Sequence, residues 1–135
     1  MDLEILKIAS NTENYKNINN PTHSSKLKNP LCGDQMQIDL MIKKNIIIDF
    51  GYKCKSCIYC QASVSLLSKY SVNQSVENIN KLISIANNFF TNDKKKLSKN
   101  WNDFNKLFNK KNTSRKECLL LPFKTLSKAL KFNNE

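Results

Sequence analysis

The sequence is poor in arginine, and this shortage narrows the choice of partners. Arg115 is the only arginine among 22 basic residues, although the formal net charge is +11. Arginine supplies most of the bidentate contacts that read guanine edges in nucleic acids. The lysines are instead spread among asparagines along the whole chain, and the run at 94–96 is typical of a solvated turn. We therefore expect no nucleic-acid partner.

Long apolar stretches are also missing. No run of apolar residues approaches the length of about 20 that a membrane-spanning helix needs. The first residues include Asp2 and Glu4 but no arginine, unlike a secretory signal or a transit peptide. These features predict a cytoplasmic protein with no membrane partner. The length of 135 residues suits a single domain over residues 1–135.

Five cysteines stand at positions 32, 54, 57, 60 and 118. An odd number in a chain without an export signal indicates metal binding or thiol chemistry rather than a disulfide framework. Three of them follow one another at intervals of three, where a strand should end and a helix begin. Thiolates near a helix N-terminus are stabilised by the helix dipole and by free backbone N–H groups.

Three familiar uses of closely spaced cysteines fit poorly. A bacterial ferredoxin run would continue with cysteine and proline, where this chain has Val64 and Ser65. A zinc ribbon needs a second ligand pair, and only His23 and Cys118 remain for it. A thioredoxin-type site requires a βαβ context that the predicted order of strands does not supply.

A site assembled from separate segments explains the residues better. Gly33 lets a tight loop direct the thiolate of Cys32 and the carboxylate of Asp34 toward one point. The strand-to-helix junction supplies Cys57, and the start of a C-terminal helix supplies Cys118. Three thiolates and one carboxylate suit Zn²⁺ or a small iron–sulfur cluster, with oxygen as the more exchangeable ligand.

Hydrophobic periodicity predicts an antiparallel hairpin in the first half. Apolar residues alternate with polar ones from Met36 to Ile42, and a polar turn follows at Lys43-Lys44-Asn45. The alternation then continues with Ile46, Ile48 and Phe50 on the buried face. The residue before a proline avoids the α region, so the stretch before Asn29-Pro30 is predicted to add an extended edge element.

Helical spacing dominates the remainder. A short helix is predicted at the N-terminus, two helices after Cys57 with Ser75 as an N-cap, a third around Trp101–Phe108, and a last one after Cys118. The polar stretch 9–29 is typical of a partly mobile segment. The prediction is an α+β fold, in which a small antiparallel sheet of about three strands packs against a layer of helices.

Three motifs resemble those of the iron–sulfur cluster assembly scaffold family, which comprises the IscU and SufU proteins and the N-terminal domain of NifU. Asn29-Pro30-Leu31-Cys32-Gly33-Asp34 matches the N-P-x-C-G-D loop of that family. The segment 57–65 is similar to its second motif, a cysteine that opens a helix containing A-S-x-S. Arg115-Lys116-Glu117-Cys118 matches R-x-x-C, and 121–130 resembles the closing helix.

The resemblance implies a role for each matching residue. Cys32, Cys57 and Cys118 would hold a transient [2Fe–2S] cluster or a zinc ion, and Asp34 would ligate metal or keep the cluster labile. Cys57 and Cys118 are the candidate persulfide acceptors. The implied partners are a cysteine desulfurase and recipient apo-proteins or downstream carriers. As a scaffold or sulfur carrier, the protein would turn over no small substrate and would not be an enzyme in the usual sense.

Three departures from the family pattern leave a second function open. Glu117 occupies the position where IscU has histidine, Cys54 and Ser56 replace usual glycines, and the motif for a dedicated chaperone is missing. The 60 residues between Cys57 and Cys118 resemble the SufU-like branch, whose members bind zinc and accept persulfide. The alternative is therefore a zinc-dependent sulfur acceptor, a sulfurtransferase of a SUF-type system without a stable cluster. Cys54 and Cys60 are predicted to be secondary, with Cys60 buried.

Overall fold

Sheet and helices form two layers, as the sequence predicts. The computed structural model describes residues 3–31, 33–91 and 99–131. In chain order the elements are α1 (Leu3–Ala9), β1 (His23–Lys28), β2 (Gln35–Lys43), β3 (Ile46–Lys55), α2 (Ile58–Ser71), α3 (Val76–Phe89) and α4 (Lys116–Lys131), with 3₁₀ segments over Lys99–Lys106 and Lys110–Arg115. The α+β prediction is confirmed. None of the helices in these ranges has the length and apolar character needed to span a bilayer.

The sheet has the order β1-β2-β3, and both neighbouring pairs are antiparallel. The β2–β3 hairpin turns at Lys44 and Asn45, whose φ angles are 50° and 66°. Two successive positive φ values match the twist of a tight hairpin, and asparagine tolerates them well. The predicted hairpin and the predicted edge strand before Asn29-Pro30 are both confirmed.

The prediction that Ile48 faces the core is wrong. Ile48 is 41% exposed, whereas Ile47 is fully buried. The ladder pairs Met41 with Asp49 and Ile42 with Ile47, so Ile48 is an extra residue without a partner. Such a β-bulge shifts the alternation by one residue. Phe50, on the far side of the bulge, remains buried as predicted.

The inner face of the sheet packs against α2 and α4. Met36, Ile38 and Leu40 of β2 are almost fully buried there. Helix α2 lies at the centre of the helical layer, between α1, α4 and β3, and buries mainly small residues along its length. Small side chains allow three neighbouring elements to approach one helix closely. This arrangement brings the start of α2 and the start of α4 to the same end of the sheet.

The connection before α4 differs from the predicted third α-helix. Its described part contains two 3₁₀ segments. Phe104 in the first of them is buried, and so are Leu107 and Phe108 in the turn that follows it. The ring centroids of Phe104 and Phe108 lie 5.9 Å and 5.4 Å from that of Phe123 in α4, at steep interplanar angles. These aromatic rings therefore belong to the core. The lysine run 94–96 and the side chain of Trp101 lie outside the described residues.

The segment 14–18 crosses the outer side of the sheet beside β3. The backbone N–H of Tyr52 donates to the carbonyl of Asn14, and that of Lys16 donates to the carbonyl of Tyr52, both at 3.1 Å. Farther on, Ile18 N–H donates to Asp39 Oδ2 at 3.1 Å. The segment is thus fastened to the sheet by its backbone. The partial mobility predicted for residues 9–29 stays a prediction.

Gly51 permits this close approach. A Cβ atom at position 51 would lie 2.5 Å from the carbonyl oxygen of Lys16, which is backbone and cannot rotate away. We predict that Gly51→Ala lowers the free energy of unfolding by about 1–3 kcal/mol, because overpacking displaces the segment. Urea unfolding of the variant measures this. Lys55→Ala, an exposed residue of the same strand, is the control and should change stability by less than about 0.5 kcal/mol.

Candidate metal centre

Three side chains from separate parts of the chain meet at one end of the sheet. Asp34 directly precedes β2, Cys57 directly precedes α2, and Cys118 lies in the first turn of α4. One ligand atom from each, a carboxylate oxygen and two Sγ atoms, lies within 4.8 Å of the others. Two thiolates on a tetrahedral zinc ion are about 3.8 Å apart, given Zn–S bonds of about 2.3 Å. Small side-chain rotations would therefore close these three groups on one ion.

The loop before β2 is folded back on itself, and this closure sets the place of Asp34. Asn29 N–H donates to the carbonyl of Asp34, and Gly33 N–H donates to the carbonyl of Asn29, both at 2.8 Å. The side-chain Oδ1 of Asn29 accepts from Leu31 N–H at 2.9 Å. Gly33 has φ +79°, a left-handed conformation that glycine adopts without strain. Cys32 lies outside the described residues, so its place among the ligands stays a prediction.

The carboxylate of Asp34 also contacts the start of α2. Cys57 is the N-cap residue of α2, with extended backbone angles and no capping bond from its own side chain. Its backbone N–H donates to Asp34 Oδ2 at 3.4 Å. No acidic residue lies in the first turn of α2, so Asp34 supplies the negative charge that the helix dipole favours at this end. The same group therefore positions Cys57 and faces the thiol cluster.

Helix α4 is held next to α2 by a buried hydroxyl. Ser63 is fully buried, and its Oγ donates to the carbonyl of Leu119 at 2.7 Å. Leu119 follows Cys118, so this bond fixes the backbone that carries the second thiol of the cluster. Ser63 is the first serine of the A-S-x-S motif, and the sequence alone predicts no role for it. The buried serines spaced along α2 are the signal that could have indicated helix–helix hydrogen bonding.

Comparison with known proteins agrees with this arrangement. Residues 3–100 match the family described as the NifU-like N terminal domain. The chain belongs to that family. The iron-sulfur cluster assembly scaffold protein IscU of Thermotoga maritima is 30% identical over 135 aligned residues, which span 94% of this chain and 89% of that protein. An uncharacterized protein of Borreliella burgdorferi is 32% identical over 129 residues, spanning 93% and 79% respectively.

Solved structures share the fold of this NifU-like domain. The N-terminal NifU-like protein of Brucella abortus superimposes with a TM-score of 0.86 at 17% identity, covering 96% of this chain and 91% of its own. A putative scaffold protein for the SUF system from Fervidobacterium islandicum gives 0.85 at 23% identity, covering 96% of both chains. At such low identity these likenesses establish the fold alone.

Cys60 belongs to the core of the NifU-like domain and not to the cluster. It lies in the first turn of α2, on the buried side of that helix, and its burial raises the pKa of its thiol. The prediction that Cys60 is buried is confirmed. A neutral, enclosed thiol lacks both the charge and the access that a metal ligand needs.

Cys54 occupies an intermediate position. It is partly buried on the inner side of β3, opposite Met36, and its Sγ is outside the group formed by Asp34, Cys57 and Cys118. Burial raises the pKa of its thiol, the nearby Asp34 carboxylate raises it further, and the Ser56 hydroxyl opposes both effects. Cys54 therefore stays protonated over a wider pH range than a free cysteine.

Two charged residues precede Cys118 closely in the sequence, and neither is a ligand of the cluster. Glu117, which replaces the histidine of IscU, forms an ion pair with Lys124 at 3.4 Å on the surface of α4. Its carboxylate is not part of the cluster formed by the described residues. Arg115 lies 5.2 Å from the ring centroid of Tyr59, between Cys57 and Cys60 in sequence. Arg115 is exposed, and this contact joins the residue before α4 to the first turn of α2.

The different environments of the thiols lead to a test by substitution. Cys54→Ala and Cys60→Ala, singly or together, should keep the wild-type stoichiometry of bound zinc or iron, because neither thiol belongs to the cluster. Cys118→Ala is the comparison and should reduce that stoichiometry by at least half. Metal analysis of anaerobically purified protein measures it. Loss of metal from the double variant, with retention in Cys118→Ala, would establish a local site at positions 54, 57 and 60 instead.

Proposed function

We propose that this protein is a scaffold on which an iron–sulfur cluster is assembled and from which it is passed on. The observation that carries this proposal is the convergence of Asp34, Cys57 and Cys118 from three separate elements, within 4.8 Å of one another. Membership in the NifU-like family and likeness to a protein named as an assembly scaffold support it. Iron and sulfide are in this view cargo, not permanent parts of the protein.

The mixed ligand set suits temporary binding. Thiolates of Cys57 and Cys118 are soft ligands for iron and zinc, and Cys32, two residues before Asp34 in the sequence, is the third thiolate that we propose. The Asp34 carboxylate is a harder ligand that exchanges more readily. It also has an alternative partner, the backbone N–H of Cys57. A ligand that can return to a hydrogen bond with the protein makes release of the cargo easier.

Exposure distinguishes the two candidate sulfur acceptors. Cys118 is 7% exposed, whereas Cys57 is only partly buried at the helix start. In our proposal the Cys57 thiolate attacks the outer sulfur of a persulfide on a cysteine desulfurase. The new S–S bond forms as the donor's S–S bond breaks, the donor thiolate leaves, and no net oxidation occurs. Assembled cluster would then pass to recipient apo-proteins or carriers.

The zinc-dependent sulfur acceptor remains the second candidate, because one carboxylate and several thiolates also suit zinc. In that case zinc would hold the thiolates until the desulfurase docks, and ligand exchange would free one of them to attack. The two functions differ in what the protein carries after anaerobic purification with the desulfurase, cysteine and iron. A brown protein containing iron and acid-labile sulfide supports the scaffold. A colourless protein with one tightly bound zinc ion and transferable sulfur supports the acceptor.

Replacement of Cys57 gives the most direct test of the site. We expect Cys57→Ser to lower metal affinity more than about 100-fold, since even loss of a second-shell partner costs about 10–100-fold. Sulfur acceptance should be lost as well, because a hydroxyl is a poor nucleophile at neutral pH. Competitive chelator titration and a persulfide assay measure the two effects. Cys60→Ser is the matched control and should retain both properties. Full metal retention by Cys57→Ser would remove Cys57 from the site.

The role of Asp34 is separable into metal binding and helix positioning. Asp34→Ala removes both, whereas Asp34→Asn keeps an oxygen that can accept from Cys57 N–H but is a weaker metal ligand. If the carboxylate is the exchangeable ligand, both variants should hold a reconstituted cluster several-fold longer, as followed by visible absorbance during transfer to an apo-ferredoxin. Faster cluster loss in both would identify Asp34 as a required anchor. Faster loss in Asp34→Ala alone would assign its main role to positioning Cys57.

A further inference from the structure

The outer face of the sheet carries a regular pattern of lysine and glutamine at the end nearest the metal site. The strand register places Lys26, Gln37 and Lys53 side by side on β1, β2 and β3. The next row toward the site consists of Lys28, Gln35 and Lys55. Each row therefore reads lysine, glutamine, lysine. We call these six residues the Lys–Gln face.

These six side chains point away from the helices. The row between them, formed by Leu27, Met36 and Cys54, packs against the hydrophobic core. Successive side chains of a strand alternate between the two faces of the sheet, so the rows on either side face outward. Consistent with this, Lys26, Lys28 and Lys55 are exposed.

Carboxylates on the same outer face are already used elsewhere. Asp39 is 5% exposed and accepts from Ile18 N–H and from Gln37 Nε2. Asp49 forms an ion pair with Lys16 at 2.9 Å. Both acidic residues lie beyond the Lys26 row, on the side away from the metal site.

The four lysines of the Lys–Gln face are not neutralised by acidic neighbours. Within residues 3–31, 33–91 and 99–131, none of them forms an ion pair with a carboxylate. The ammonium group of Lys53 lies 4.2 Å from the ring centroid of Tyr15, an interaction that leaves its charge available. The face is thus a compact patch of uncompensated positive charge.

The patch is concave and leads toward the thiol cluster. A groove of about 490 Å³ runs over it and is bounded by Tyr15 on the β3 side. In the sequence Gln35 directly follows Asp34, and Lys55 stands two residues before Cys57. A partner held in the groove would therefore lie beside the site at which metal and sulfur are expected to bind.

We propose that this groove docks an extended acidic segment of a partner protein. Two residues along one strand span about 7 Å, so Lys26 and Lys28 match carboxylates on alternate residues of an extended chain. The facing pair Lys53 and Lys55 offers the same spacing about 10 Å away, across two strand intervals. The glutamines between them can donate to backbone carbonyls of the bound segment.

A protein segment fits the groove better than a nucleic acid does. Duplex recognition relies on a broad basic surface and commonly on arginine, whereas this patch is only three strands wide and contains lysine. A second copy of the same chain carries a net charge of +11 and would be repelled. An acidic segment would instead be steered toward the metal site by the field of the patch. This proposal stands whether the cargo of the site is a cluster or sulfur alone.

The probe for this surface is a fluorescein-labelled ten-residue peptide with glutamate at alternate positions and threonine between them. Binding is measured by fluorescence anisotropy at about 50 mM and about 150 mM salt. Replacing Lys26, Lys28, Lys53 and Lys55 by glutamine should weaken binding more than about tenfold, the loss of several close charge pairs. The matched control replaces four exposed lysines elsewhere by glutamine: Lys43, Lys69, Lys81 and Lys110. It removes the same charge and should change affinity less than about threefold.

The outcomes separate a specific surface from general attraction. If both quadruple variants bind the peptide equally weakly, the affinity depends only on net charge, and the proposal is overturned. It is also overturned by a ten-nucleotide single-stranded DNA that binds more tightly than the peptide with the same dependence on the four lysines. Circular dichroism and thermal unfolding confirm that each variant is folded. Cys57→Ser should bind the peptide like wild type, so that failure of the metal site and failure of the docking surface are distinguishable.

Discussion

The Asp34 carboxylate is the group on which the geometry of the site depends. It accepts from the backbone N–H of Cys57, where α2 begins, and the backbone carbonyl of the same residue accepts from Asn29 N–H and closes the loop. A loop and a helix that approach from different directions are thereby joined through one residue. A metal ligand with this second attachment is held in place before any ion arrives, which lowers the entropy cost of binding. When the cargo leaves, the carboxylate oxygen can return to its hydrogen bond with Cys57 N–H.

The packing of α2 supplies the rest of the frame. Because its buried face consists largely of alanine and serine, α1, α4 and β3 can all approach it closely. Two of the buried serine hydroxyls then donate across the interfaces, from Ser63 to α4 and from Ser65 to the carbonyl of Asn11 at 2.8 Å. Buried hydroxyls of this kind are costly to leave unpaired, so they favour one helix arrangement over others. The position of Cys118 follows from that arrangement.

The thiols in the described part of the chain show how environment divides one chemical group among different roles. Cys60 is enclosed by apolar neighbours and behaves as a small core residue. Cys54 is partly buried near a carboxylate, which favours its neutral form. Cys57 is the N-cap residue of α2 and is only partly buried, with its backbone N–H bound to the Asp34 carboxylate. These three cysteines follow one another at intervals of three, so the difference between them comes from what surrounds each sulfur.

Local pattern alone determined the fold class, the hairpin with its polar turn, the cap at Ser75 and the motifs that resemble the scaffold family. Such features depend on neighbours in the chain, through side-chain alternation, helical period and tolerance of positive φ. The tertiary structure decided the bulge at Ile48, the need for glycine at Gly51, the bond from Ser63 to Leu119 and the pairing of lysines across three strands. Each of these depends on which distant segment lies opposite, and the register between segments is set only when the whole core packs.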